Sequence, residues 1–214
     1  MIKYYTGKYS WYGGWYFLLS NLCCYRQKFH LGKITLHLNI TPDGFCDHRT
    51  GVVNTEMMKS VNELLKSVNS AIFGRTTYQL FESYWPIVWK EKKGSDEDIM
   101  FSGLMDNMEK IVFTRTLTNT EWKNSRIIRE LNKQEILKIK DQSEKDIIVF
   151  GSPGLASQLI ELDLVDDYYF LVQPFVAGGG PRLFYSQPNA KRKLQFKNAQ
   201  SFESGVVILH YGLT

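Results

Sequence analysis

Two strand-to-helix junctions constrain this chain more than any other feature. Ala71-Ile72-Phe73-Gly74 runs into Arg75-Thr76-Thr77-Tyr78, and Ile147-Ile148-Val149-Phe150-Gly151 runs into Ser152-Pro153-Gly154-Leu155. In each, an apolar run of strand length meets a glycine and then residues that open a helix. A helix start exposes unpaired backbone N–H groups and the positive end of the macrodipole, which suits a phosphate. Two such mouths, one of them followed by Arg75, predict a site for the two ends of a phosphorylated dinucleotide.

The remaining pattern builds a sheet around these junctions. Ile34, Leu36, Leu38 and Ile40 alternate as in a strand, and Thr41-Pro42-Asp43-Gly44 ends it with turn chemistry. Met57, Val61, Leu64, Leu65 and Val68 recur at helical spacing, with Asn54 or Thr55 as N-cap. A short helix is expected over 76–83, a Trp- and Lys-rich loop over 84–93, and a helix over 98–108. Strands follow at 110–114 and 127–128, then a helix at 133–140, a strand at 146–150, a helix at 155–162 and a long strand at 167–176. Residues 193–202 and 206–211 form an antiparallel pair across Ser204-Gly205. Strands alternate with helices until about residue 165 and dominate afterwards. The expected fold is therefore α/β, with a mainly parallel sheet, helices on both faces and an antiparallel C-terminal edge.

Charge divides the chain at one place. Segment 1–32 holds Lys3, Lys8, Arg26 and Lys28 and no acid, and these four account for the whole net charge of +4. The balanced remainder gives no electrostatic case for nucleic-acid binding. The same segment carries six of the twelve tyrosines, with Trp11 and Trp15. Its apolar stretch over 15–24 is short for a membrane span and is interrupted by Asn21. It reads as a weak targeting segment, as an extra packed element, or as an upstream stretch outside the natural domain. The abrupt change at Gly32-Lys33 favours the third. The organisation expected is thus an atypical extension over 1–32 and one domain over 33–214. Cys23, Cys24 and Cys46 make no CxxC, so a reducing, cytoplasmic setting is expected. His30, His37, His48 and His210 show no metal-ligand spacing, so no metal site is expected.

Further motifs fall in register with the junctions. Gly74-Arg75-Thr76-Thr77-Tyr78 resembles the Gly-Arg-x-Thr-aromatic motif of the dihydrofolate reductase-like superfamily, and Phe150-Gly151-Ser152-Pro153-Gly154 resembles its second glycine-rich turn. Thr41-Pro42-Asp43-Gly44-Phe45, Leu164-Val165-Asp166-Asp167-Tyr168 and Gly178-Gly179-Gly180-Pro181-Arg182-Leu183-Phe184 resemble motifs of the riboflavin-biosynthesis reductase domain. The order and spacing agree over 33–214, and the chain resembles the stand-alone branch of that group. It departs from the riboflavin enzymes at Phe45, where they carry a lysine, and at Phe150, where an acid is frequent.

The resemblance implies a dihydrofolate reductase-like three-layer α/β/α fold and an NADPH-dependent reductase, often homodimeric. It places Gly74, Arg75, Thr76 and Thr77 at one cofactor mouth and Gly151, Ser152, Gly154 and Leu155 at the pyrophosphate turn. Thr114 and Arg115 match the neighbourhood of the adenosine 2′-phosphate, where a guanidinium favours NADPH over NADH. The loop at Asp43 borders nicotinamide and substrate in the family, so Asp43 is a candidate for catalysis and for the substrate site, with Leu36 and Trp85 as further candidate substrate contacts. His37 and His48 lie near the same strand and loop. A proton donor is expected on the helix before Gly74. That helix offers Glu56, while the family's position falls near Met58. Two functions follow: reduction of a small planar heterocycle such as a pterin or aminouracil, or a nucleotide-binding module or sensor on the same fold.

Overall fold

The structure, a computed structural model, describes residues 32–47, 49, 51–184 and 191–214. The expectations for residues 1–31 and for His48 lie outside these. In chain order the elements are β1 (Ile34–Ile40), α1 (Thr55–Leu65), β2 (Val68–Gly74), α2 (Arg75–Glu91), α3 (Asp96–Asn107), β3 (Glu109–Phe113) and β4 (Ser125–Ile128). Then come α4 (Lys133–Gln142), β5 (Asp146–Phe150), α5 (Pro153–Glu161), β6 (Asp167–Val172), β7 (Leu194–Ser201) and β8 (Val207–Leu213). One eight-stranded sheet has the order β4-β3-β2-β5-β1-β6-β8-β7. The first six strands pair in parallel. β8 and β7 complete the sheet antiparallel.

Side-chain alternation sorts the sheet into two packed layers. Ile111, Ile72, Val149, Leu36 and Tyr168 form one row across five adjacent strands. That row packs beneath α4 and α5 through Ile136, Ile139, Ala156 and Leu159. The intervening residues Ala71, Phe73, Val112, Ile148 and Phe150 face Met58, Val61, Leu65, Phe101 and Met105 of α1 and α3. Parallel strands buried on both faces read as continuous apolar runs, as Ile147–Phe150 does. Each such side chain removed from water contributes on the order of 2 kcal/mol.

Local chemistry fixes the helix starts. The Met57 N–H donates to Asn54 Oδ1 at 2.8 Å, capping α1. Ser95 and Asp98 form a reciprocal capping box on α3. Pro153 stands in the first turn of α5, where a missing N–H costs nothing.

Two expected elements differ. The loop expected over 84–93 is the second half of α2, a single 17-residue helix with Pro86 inside it. Proline removes one backbone hydrogen bond from a helix, which is why the segment reads as a break. Tyr78, Phe81, Trp85 and Val88 nevertheless share one stripe. Phe81 and Trp85 pack with Phe101 of α3, the Trp85 and Phe101 ring centres lying 4.4 Å apart. This aromatic contact outweighs the lost bond. The long strand expected over 167–176 ends at Val172, because Pro174 has no N–H for a ladder. Among the described residues, no helix is long and apolar enough to cross a membrane.

Candidate functional site

The two junctions meet in space. Gly74 ends β2 and precedes α2, whose first turn carries no side-chain cap. Gly151 and Ser152 follow β5 with φ of +50° and +52°, and α5 likewise begins without a side-chain cap. The left-handed region is open to glycine but unfavourable for serine. Ser152 is held there by its own hydroxyl. Ser152 Oγ accepts the Gly74 N–H at 2.9 Å and donates to Thr77 Oγ1 at 3.0 Å. A Cβ on residue 74 would sit 3.2 Å from that oxygen, so glycine is what allows the approach. The Gly151 N–H donates to the His37 carbonyl at 3.0 Å, tying the same turn to β1. The two helix N-termini therefore open side by side at the carboxyl ends of the central strands, the crevice position of open α/β sheets.

A cavity of about 720 Å³ begins at these mouths and continues between the sheet and helices α1 and α2. Its mouth is lined by Gly74, Arg75, Thr76 and Thr77 from one junction and by residues 151–155 from the other. Its deeper wall is apolar: Met57, Met58 and Val61 of α1, Phe81 and Trp85 of α2, and Phe150 at the end of β5. His37 stands edge-on to Phe150, with ring centres 5.4 Å apart. Its Nε2 is buried without a hydrogen-bond partner. Burial pushes the imidazole down from 6.5 to about 4, so it is neutral at pH 7. Burial also pushes the Cys46 thiol up to about 11. Asn39 Oδ1 accepts from Gln173 Nε2 at 3.1 Å.

The residues expected at the two mouths, Gly74, Arg75, Thr76, Thr77, Gly151, Ser152, Gly154 and Leu155, all border this one cavity, and so does Trp85. Thr114 and Arg115 sit just past β3, whose Phe113 pairs with Gly74. Thr114 Oγ1 accepts the N–H groups of Thr116 and Leu117, folding the turn that carries the exposed Arg115. Three expected residues lie elsewhere. Leu36 points into the α4–α5 layer, because alternation puts it on the opposite face from His37. Glu56 is exposed on the first turn of α1, and the cavity is bordered instead by Met57 and Met58. Asp43 accepts from Thr41 Oγ1 at 2.6 Å and from the N–H groups of Ala177 and Gly178 at 3.1 and 2.7 Å. The Thr41 hydroxyl first, and then the Gly178 N–H, pull its carboxyl down to about 2. Asp43 thus clasps two loops together and is not part of the cavity lining.

Met57, Val61, Cys46 and Phe101 were not legible as site residues. They are apolar or thiol groups on buried stripes, and periodicity marks such stripes as core. Among the described residues, no three His, Cys, Asp or Glu side chains are grouped to hold a metal ion.

The family description "RibD C-terminal domain" matches residues 32–208. The chain belongs to the RibD C-terminal domain family. It is 29% identical over 188 residues to the uncharacterized protein YyaP of Bacillus subtilis (strain 168), covering 84% of this chain and 94% of that one. The fold is similar to that of a putative riboflavin biosynthesis protein from Shewanella sp. PV-4, with TM-score 0.61 and 13% identity over 85% of this chain and 99% of that one. It is also similar to dihydrofolate reductase from Enterococcus faecalis complexed with NADP(H) and RAB-propyl, with TM-score 0.54 and 15% identity over 86% of this chain and 98% of that one. At these identities the structural likeness speaks to fold. The three layers and the antiparallel C-terminal edge expected for a dihydrofolate reductase-like domain are present.

Proposed function

We propose that this RibD C-terminal domain protein is an NADPH-dependent reductase of a small, planar organic substrate. One observation carries the reading: a single cavity joins two uncapped helix N-termini to a deep apolar chamber. The residues at the mouth fit a dinucleotide phosphate. They supply free backbone N–H groups, the Arg75 guanidinium, and glycines at 74 and 151 where backbone must come close. Arg115, on the turn after β3, would favour a 2′-phosphate in this reading. When bound, the cofactor supplies hydride.

The chain's own residues bind, orient and exclude water. The Ser152 clasp sets the spacing between the two mouths. Trp85 and Phe150 offer flat surfaces to a planar ring, and the apolar wall keeps water from the reacting faces. None of the described residues lining the chamber is an acid, so the proton that completes reduction comes from water. Titration of the protein's tryptophan fluorescence with NADPH tests the placement. Saturable quenching is expected, weakened at least tenfold in Arg75→Ala, whose side chain is exposed and leaves the fold unchanged. Equal affinity in both proteins sinks it.

A second reading, a nucleotide-binding sensor, rests on Met58 standing where a carboxylate is expected. Tight NADPH binding with no oxidation across pterins, aminouracils and quinones would favour it.

A further inference from the structure

The chamber behind the two mouths has an uncommon electrostatic character. Of the described residues that line the whole cavity, Arg75 alone carries a formal charge, and it stands at the mouth. The deep wall is made of thioethers, branched aliphatics and aromatic rings. Beyond the mouth, the side chains with polar atoms that border the cavity are His37, Asn39, Cys46, Tyr84 and Trp85, and none is a carboxylate or a cation. His37 is an uncharged imidazole with its Nε2 covered. Cys46 is an unionised thiol. Asn39 is an uncharged amide whose Oδ1 accepts from Gln173 Nε2. The nearest candidate acid on α1, Glu56, is on the solvent side of the helix.

This lining discriminates between kinds of planar substrate. A pterin or aminouracil carries several ring N–H and amino donors. Buried here, they would lose water and meet few acceptors, chiefly His37, Asn39 and Tyr84 and no carboxylate, and buried polar groups left unpaired are costly. A site built to hydrogen-bond such groups discriminates strongly, and a site with few partners disfavours them by the same physics. An uncharged ring with few donors meets none of these costs and gains the burial of both its faces.

We infer that the substrate of this site is an uncharged, mostly apolar cyclic carbonyl compound of the quinone class, recognised by the methionine and aromatic walls of the chamber. The inference rests on the reductase reading above. A quinone also resolves the missing acid. It takes up a hydride, two electrons with one proton, from the reduced nicotinamide, which leaves oxidised. The hydroquinone anion so formed is stable enough to wait for its second proton from water.

The experiment is a binding comparison followed by turnover. Quenching of intrinsic fluorescence is titrated with menadione, with dihydrobiopterin and with a ribitylated aminouracil, in protein without cofactor. Menadione is expected to bind at least tenfold more tightly than either heterocycle. Met58→Glu, which puts a charge into the wall, is expected to weaken menadione at least tenfold and NADPH less than twofold. Met58→Gln serves as a neutral, uncharged variant should the glutamate fail to fold, with the same order of ligands and a smaller loss. Tighter binding of either heterocycle overturns the inference and leaves the reductase reading standing. Menadione binding without any NADPH binding or oxidation supports the chamber's preference and overturns the reductase reading. With both in place, NADPH oxidation is expected with menadione at one hydroquinone formed per NADPH consumed.

Discussion

The Ser152 hydroxyl accepts the Gly74 N–H at 2.9 Å and so joins two helix starts that lie far apart in the chain. The same oxygen donates to Thr77, on the first turn of α2. Serine tolerates a left-handed backbone here because these two bonds offset the strain. Ser152→Ala keeps the strain and loses both bonds, leaving a partly buried N–H unpaired. A loss of about 2 kcal/mol is expected. Ser152→Gly loses the bonds but relieves the backbone, so it should cost about half as much. Urea denaturation, read as a change in midpoint at constant slope, separates the two. A glycine variant less stable than the alanine variant would remove the strain argument.

Gly103 fixes the distance between α2 and α3. A Cβ at this position would meet the Trp89 ring at 2.6 Å. Gly103→Ala is expected to destabilise by about 1–3 kcal/mol through overpacking. It should also weaken ligand binding in the chamber, because the displaced Trp89 belongs to α2, the helix that carries Phe81 and Trp85. Combining it with Trp89→Leu should recover most of the stability, and a double-mutant cycle measures that coupling.

His37 predicts an acid-sensitive stability. Its folded value is about 4 and its ordinary value 6.5. Between those values the unfolded chain binds the proton more readily, so stability is full above pH 6.5 and falls as pH drops toward 4. The loss has an upper bound of roughly 3 kcal/mol. Because carboxylates titrate nearby, the measurement is the difference between wild type and His37→Phe across pH 7.5 to 4.5. That difference should change by more than 1 kcal/mol over this range. A flat difference would show that burial does not hold the imidazole neutral.

The Asp43 clasp is lost in the same direction as the His37 contribution, with falling pH, but over a lower window. Its carboxyl is lowered from 3.8 to about 2, so the clasp is complete at neutral pH and is lost as pH falls through that window. Amide exchange of Ala177 and Gly178 should be slow in wild type at neutral pH. It should speed up at least tenfold in Asp43→Ala, with Asp43→Asn intermediate. Cavity ligands should bind Asp43→Asn within about threefold of wild type, as the side chain is not in the lining. A hundredfold loss of turnover in Asp43→Asn with binding intact would restore Asp43 to a catalytic role.

Much of the fold was legible because its elements announce themselves locally. The alternation of β1, the buried runs of β2 and β5, and the Ser204-Gly205 turn between β7 and β8 all stand in the structure near their expected positions. Pro86 misled because a helix is judged by its weakest local residue, whereas α2 is held by rings from a different helix. Trp85 was expected at the site from a loop and reaches it from a helix.

Apart from Trp85 and Leu155, the site was legible in its polar half. Arg75, Thr77 and Ser152 stand in glycine-marked turns whose chemistry is visible along the chain. Asp43 read as a site residue from its motif, yet its three hydrogen-bond partners, two of them from a distant loop, make it a clasp. Leu36 and His37 are neighbours on one strand, and which of them faces the cavity depends on the layer that covers each face.

The sequence by itself determined the two mouths, the mainly parallel sheet and the family, because turn chemistry and strand periodicity are local properties of the chain. Only the tertiary structure decided that the mouths share one cavity, that a serine clasps them together, and that the chamber behind them is uncharged. Those facts depend on residues brought together across the sheet, and burial sets the protonation of His37 and Cys46 only once the helices have closed over them.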